Sequence, residues 1–396
     1  MEDVQIDRRA GVISPRLRLE EMLSGKKNGV PLIDIGTTSL TGLRTSALPH
    51  LFENNMLTNP IFQTISLEQA NCKRLGSDCI RAGMLYDPQI IKDGCFTDTF
   101  GVEWLNSDGY FAPSSHPLES ARLNDIERYP KPEWRLSVQQ VKQELSSDNL
   151  VIADAPCPGL LDICFMLRGA WRFMDDIAEK RSIASALLEW SLETIISAYE
   201  YMLRSLERQP DIVIYNDDLG FQNSMFFSPL DFRSYLVPNM RSLLTRLRNL
   251  TPAAICFHSC GAISPILPDI ANLDVEILNL DTYAQGMDVR GLRQKLPGSV
   301  ILHGVNDLCA LGEVVAKQDK AGIAYFITEL AQSAPVIAAP VDSLSCADEV
   351  MAAARGATFI RNFSDEGFKA IRRLGPVRSI IEEAIEKTLS EELTFI

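Results

Sequence analysis

Eight short apolar runs, each closing on polar residues or glycine, constrain the fold more than any other feature of this chain. They are Pro31–Ile35, Asp78–Arg81, Val151–Ala155, Asp211–Tyr215, Ala254–Phe257, Val275–Asn279, Ser299–His303 and Pro335–Ala339. Amphipathic stretches such as Ile183–Leu206, Phe232–Leu247 and Leu311–Ala331 separate most of the later ones, which is the grammar of strands alternating with helices. Eight such units predict a parallel (β/α)8 TIM barrel. A doubly wound open sheet is the alternative, but no Gly-x-Gly-x-x-Gly follows any of the runs.

An N-terminal helix is expected at Pro15–Leu23, followed by a turn at Ser24–Gly29, and a helical stretch is expected between the Gly36-Thr-Thr-Ser39 loop and about Gly76. Residues 86–150 interrupt the rhythm with a hairpin-like segment, Lys92–Trp104, and a stretch rich in Pro and Ser, Ser114–Pro132. Long connections in compact domains are usually lids or binding loops, so this region reads as an insertion near the barrel mouth of a single domain spanning 1–396. The segment after about Arg355 reads as helical, and there is no internal repeat.

A net charge of −14 argues against nucleic acid or an anionic membrane as partner, because their phosphates would be repelled over most of the surface. The polar residues 1–13 lack the order of a signal peptide and no stretch approaches 18 apolar residues, so a cytoplasmic protein is expected. Nine cysteines, an odd number, are expected to be free thiols with one or two serving as metal ligands.

In a barrel the chemistry collects where the strands end. Ala254–Phe257 ends in His258-Ser-Cys260-Gly261, and period-two alternation points His258 and Cys260 the same way. An imidazole and a thiolate so placed suit Zn²⁺, which needs at least one further protein ligand. A His-x-Cys pair is short, however, and cysteine is often buried as a small hydrophobe, so a packed reading stands beside the metal one. Cys346, Asp342 and Cys309 follow later strands and are candidates for the third position; Cys346 makes the more consistent His/Cys/Cys set and leaves a fourth position for a substrate thiol. Asp218 is the candidate catalytic carboxylate, with Asp217 beside it read as a helix cap. His303 is a second catalytic candidate, or a satisfied buried imidazole. Thr37, Arg81, Asp154, Asn216, Gln222 and Asn279 complete the set as candidates for substrate binding, while His50 and His116 receive no role.

These residues resemble the uroporphyrinogen decarboxylase superfamily over roughly residues 15–385. The marks are Leu75–Arg81, Phe96–Gly101, Leu167–Ala170, Asp217–Gly220 with Ser228-Pro229, His258–Ile263, Gly286–Asp288 and His303-Gly304. The superfamily comprises (β/α)8 barrels, among them haem-pathway decarboxylases and corrinoid-linked methyltransferases acting on thiols. His-x-Cys-Gly after the fifth strand is similar to the methyltransferase branch, in which this His, this Cys and a later Cys bind zinc. The resemblance therefore implies His258, Cys260 and Cys346 as ligands, although the branch's later Cys falls near the positions of Val341 and Asp342 here. It also implies methyl transfer between a corrinoid, such as methylcobalamin or a corrinoid protein, and a small thiol or methylated substrate. The arginine-rich N-terminal motif of the decarboxylases is absent; Ile35–Arg44 stands in that region. A metal-independent decarboxylase of a tetrapyrrole or other carboxylate, and a noncatalytic corrinoid- or tetrapyrrole-binding barrel, are the alternatives.

Overall fold

The structure, a computed structural model, describes residues 14–26, 30–44, 56–59, 64–86, 94–107, 110–142, 149–363, 365–375 and 378–390. The polar N-terminal stretch, the end of the first expected turn, His50, and Lys92 and Asp93 at the start of the expected hairpin lie outside them.

All eight apolar runs form strands: β1 (Leu32–Ile33), β2 (Cys79–Leu85), β3 (Leu150–Ala153), β4 (Ile212–Asn216), β5 (Ala254–Ser259), β6 (Ile277–Leu280), β7 (Ile301–Asp307) and β8 (Val336–Ala339). They are parallel and lie in the order β1-β8-β7-β6-β5-β4-β3-β2, so each strand after β1 neighbours its successor in the chain. The sheet curls, and β1 at one edge lies beside Ser77-Asp78, the residues that lead into β2. There the Asp78 N–H donates to Ile33 O (2.8 Å) and the Ile35 N–H to Ser77 Oγ (3.2 Å), without a strand ladder. Above this junction β2 instead pairs antiparallel with Ser137–Gln139, the ninth strand, because β1 is only two residues long. The result is a mixed α/β fold with a curled nine-stranded sheet.

The strands read as unbroken apolar runs because both of their faces are buried. Alternate residues divide into two clusters. One contains Leu32, Cys79, Ile152, Ile214, Cys256, Ile277 and Ile337 and lies on the inside of the curl. The other contains Ile33, Ile80, Val151, Val213, Phe257, Leu278 and Leu302 together with the apolar faces of the helices. Leu19 and Met22 of the N-terminal helix Pro15–Leu23, which starts on an Ser14 cap with Pro15 in its first turn, join the inner cluster.

Two expected elements differ. Residues 36–76 are not one helical stretch: Leu43–Arg44, Met56–Asn59 and Thr64–Ser66 form an antiparallel sheet, and among the described residues of this segment only Gln69–Arg74 is helical. The hydroxyl-rich Thr37–Thr41 segment bonds its own side chains locally, which competes with a helix. Leu311–Ala331 is two helices, Leu308–Ala316 and Lys320–Gln332, because Asp319 caps the second by accepting from Ala321 N and Gly322 N. In the insertion, Cys95–Thr97, Glu103–Ser107 and Tyr110–Pro113 make a three-stranded antiparallel sheet, one strand more than the expected hairpin. Among the described residues no helix is long and apolar enough to cross a membrane. The nine cysteines are free thiols.

Candidate metal centre

Strand register brings the polar strand ends together. Asn216, His258, Asn279 and His303 are register partners across β4, β5, β6 and β7, forming one row. Each continues the period-two series of its strand's inner face (Ile214, Cys256, Ile277, Ile301), so the apolar inner layer gives way to a polar one at the carboxyl ends.

His258 is held by this row. Its Nδ1 lies 2.6 Å from Asn279 Oδ1. An amide oxygen can only accept, so Nδ1 carries the proton and Nε2 presents a lone pair. Nε2 is 3.5 Å from Cys260 Sγ and 3.6 Å from Asp218 Oδ1, and one ligand atom of each of the three side chains falls within 4.8 Å of the others. Two ligands of a tetrahedral zinc ion with bond lengths of about 2.0–2.3 Å stand about 3.4–3.6 Å apart, so the spacing suits one. Among the described residues these three form the one such grouping of His, Cys, Asp or Glu.

Backbone contacts keep Cys260 in place. Its N–H donates to Asp218 Oδ1 (2.8 Å), and the Leu219 N–H donates to Ser259 Oγ (3.1 Å). Gly261 follows at φ +94, where an added Cβ would stand 2.2 Å from Gly220 O. Only glycine both tolerates that backbone angle and lets the β5 loop pass so close to the Gly220–Met225 hairpin. Burial, then the carboxylates of Asp218, Asp281 and Asp342, push the Cys260 thiol well above its ordinary pKa. The metal-free cysteine is therefore a protonated thiol, and a dication is the kind of group that reverses this balance.

Asp217 behaves as a cap, but of the helix following β3. Its Oδ1 accepts from Leu161 N (2.9 Å) and Asp162 N (3.3 Å) of Leu160–Arg168, and its Oδ2 from Tyr215 Oη (2.9 Å). Burial raises its pKa to about 7 against those stabilising hydrogen bonds, with the Asp218 charge adding to the rise. The folded protein thus retains a proton that the unfolded chain releases from about pH 4 upward. Stability from this group is highest below that range and is lost as pH rises through about 7. Asp217→Asn, neutral throughout, is expected to lose less urea resistance between pH 5 and pH 8 than the wild type. Equal losses in the two proteins would show that Asp217 does not carry the proton.

The remaining candidates separate into groups. Arg81 and Asp154, each side chain 1% exposed, form an ion pair of 2.9 Å. Arg81 also donates to Gln139 Oε1 (3.0 Å) and Met84 O (2.7 Å), while Asp154 accepts from Ser39 Oγ (2.8 Å) and Ala155 N (3.0 Å). The pair clamps β2 to β3 and is closed to solvent, where substrate contact had been expected. Thr37 likewise is buried against Asp34, to which its hydroxyl donates. His303 is 3% exposed, and both of its ring nitrogens are already hydrogen-bonded in the interior, to Asn279 and Asp34. Asn279 stands behind His258. Gln222 donates to Asp281 Oδ2 (2.6 Å) on the exposed side. Asn216 is buried at the end of β4 with its Oδ1 unpartnered, as are both amide atoms of buried Asn306 in β7. Such orphaned buried atoms are uncommon.

Cys346, the expected third ligand, is exposed at the N-cap of Ala347–Asn362 and lies outside the cluster of three, in which Asp218 is the third side chain. Asp342 pairs with Arg44 (2.8 Å), and Cys309 Sγ contacts Glu349 O (3.5 Å). Reasoning from sequence missed Asp34, which accepts from His303, and Tyr283, whose hydroxyl donates to Asp307 Oδ2 (2.9 Å). An acidic residue at the end of β1 was the available signal for the first. Beside the cluster, an open groove of about 640 Å³ is lined by Met225, Phe226, Phe227, Ala262, Pro265 and Gly286.

A solved structure, a methyltransferase from Methanosarcina mazei, superposes with a TM-score of 0.58 at 18% sequence identity, covering 87% of this chain and 98% of that one. At that identity the likeness concerns the fold. No curated protein matches the sequence. The family model for uroporphyrinogen decarboxylase (URO-D) matches residues 112–313, just over half of the chain. The matched stretch holds β3 to β7, Asp218, His258 and Cys260, and the row behind them. On that match the chain belongs to the uroporphyrinogen decarboxylase family.

Proposed function

We propose that this protein is a zinc-dependent methyltransferase that moves a methyl group between a corrinoid and a small thiol. The observation that carries the reading is the cluster of Asp218, His258 and Cys260, with the bare Nε2 of His258 facing a thiol and a carboxylate at ligand spacing. Imidazole, thiolate and carboxylate are all zinc donors, and three protein ligands leave a position for substrate. Bound there, zinc would supply Lewis acidity that lowers the pKa of a substrate thiol and makes it nucleophilic at neutral pH. The protein's own part is to orient: Asn279 fixes the His258 ring, and Gly261 permits the close turn that holds Cys260. The net chemistry is replacement of a substrate S–H by S–CH₃, with the proton released and the methyl–cobalt bond broken so that its electron pair stays with the corrinoid as Co(I), or the reverse. The neighbour described as a methyltransferase supports this direction.

Decarboxylation of a polyanionic substrate finds less support, since the Arg81 guanidinium is already paired inside the protein. The test is elemental analysis of untagged protein together with methyl transfer from methylcobalamin to a panel of thiols, followed by methylcobalamin absorbance. Near-stoichiometric zinc and zinc-dependent turnover are expected. Protein that takes up no zinc even after incubation with it, yet releases carbon dioxide from a tetrapyrrole carboxylate, would replace this reading with the decarboxylase one.

A further inference from the structure

The hydrogen bonds behind His258 continue into the interior. Asn279 Oδ1 meets His258 Nδ1 (2.6 Å), and Asn279 Nδ2 meets His303 Nδ1 (2.6 Å) and His303 O (3.2 Å). His303 Nε2 then meets Asp34 Oδ2 (3.0 Å), and the Thr37 and Thr41 hydroxyls donate to the same carboxylate.

Only one assignment of protons satisfies the chain. A backbone carbonyl can only accept, so the amide group beside His303 O must be the NH₂ end of Asn279. The oxygen end therefore faces His258, which must donate from Nδ1. His303 accepts at Nδ1 and donates from Nε2 to Asp34. Turning the amide over would set two oxygens against each other at His303 and would move the His258 proton to Nε2, the atom that faces Cys260 and Asp218.

Gly304 supports the arrangement independently. It sits at φ +71 where the β7 register shifts, and a Cβ there would stand 2.8 Å from Asn279 Nδ2. The strand irregularity thus leaves room for this amide.

We propose that Asn279, His303 and Asp34 are positioning residues that hold His258 in its Nδ1–H tautomer and aim Nε2 at a metal, an inference that rests on the metal reading above. Partners of this kind orient a ligating imidazole and strengthen it as a donor.

The test has two readouts on the full chain. In metal-free protein the ¹⁵N resonances of the His258 ring report the tautomer: Nδ1 protonated in the wild type, mixed in Asn279→Ala. Cobalt(II) and zinc titrations then report affinity, which should fall about 10- to 100-fold in Asn279→Ala and less in His303→Ala, whose backbone carbonyl still orients the amide. Circular dichroism and the unfolding temperature in chelator show that the variants fold. An Nε2–H tautomer in the wild type, or Asn279→Ala affinity within twofold of wild type, would overturn the inference alone. The expected tautomer in a wild-type protein that binds neither ion would uphold the hydrogen-bond assignment, and overturn both the metal reading and the role assigned to it.

Discussion

His258→Ala and Cys260→Ala should each weaken zinc binding by roughly 100- to 1,000-fold, measured by competition with a chromophoric chelator. Zinc sites of four protein ligands bind with about 10–16 kcal/mol, or about 3 kcal/mol per donor, and each substitution removes one donor from a set of three. Asp218→Asn should fall in the same direction. Its amide oxygen can still accept from Cys260 N, so the turn survives while the anionic donor is lost. Cys346→Ala should stay within twofold of wild type, because that thiol is exposed and outside the cluster. Equal losses in Cys346→Ala and Cys260→Ala would return the third position to Cys346.

Asp154→Ala is expected to destabilise the fold by about 3–5 kcal/mol, the usual consequence of removing one partner of a buried ion pair. Arg81 would keep its charge at 1% exposure with its Nε unpaired, and Ser39 and Ala155 would lose their acceptor as well. Urea unfolding should show a lower midpoint at unchanged slope. The double substitution Arg81→Met with Asp154→Leu should recover much of the loss, since it removes the stranded charge. A single-variant loss below about 1 kcal/mol would mean that water reaches Arg81 and that the clamp is not closed.

What was legible in the chain follows from which interactions are local. The eight strands could be read because burial on both faces leaves short apolar runs, bounded by polar residues or glycine and separated by amphipathic stretches. His258, Cys260 and Asp218, which the structure brings into one cluster, were legible as candidates because strand alternation continues past the last inner apolar residues, Cys256 and Ile214. The helix assigned to residues 36–76 failed where hydroxyl side chains bond locally and where strands pair with each other across the segment.

Partnership was not legible. Arg81, Thr37 and His303 carry the right groups for binding or catalysis, and in the sequence nothing distinguishes them from residues that meet a substrate. The partners of Arg81 and His303, namely Asp154, Asp34 and Asn279, arrive from other strands once the sheet curls, whereas Thr37 meets Asp34 three residues away on its own segment. The cluster shows the same division: residue type alone favoured Cys346, whereas the approach of the β5 loop to the Gly220–Met225 hairpin brings Asp218 beside Cys260. Alternation along a strand is a local property that the amino-acid order carries by itself. Which charge neutralises which, and which donor completes a centre, depends on contacts between distant segments, and only the tertiary structure determines those.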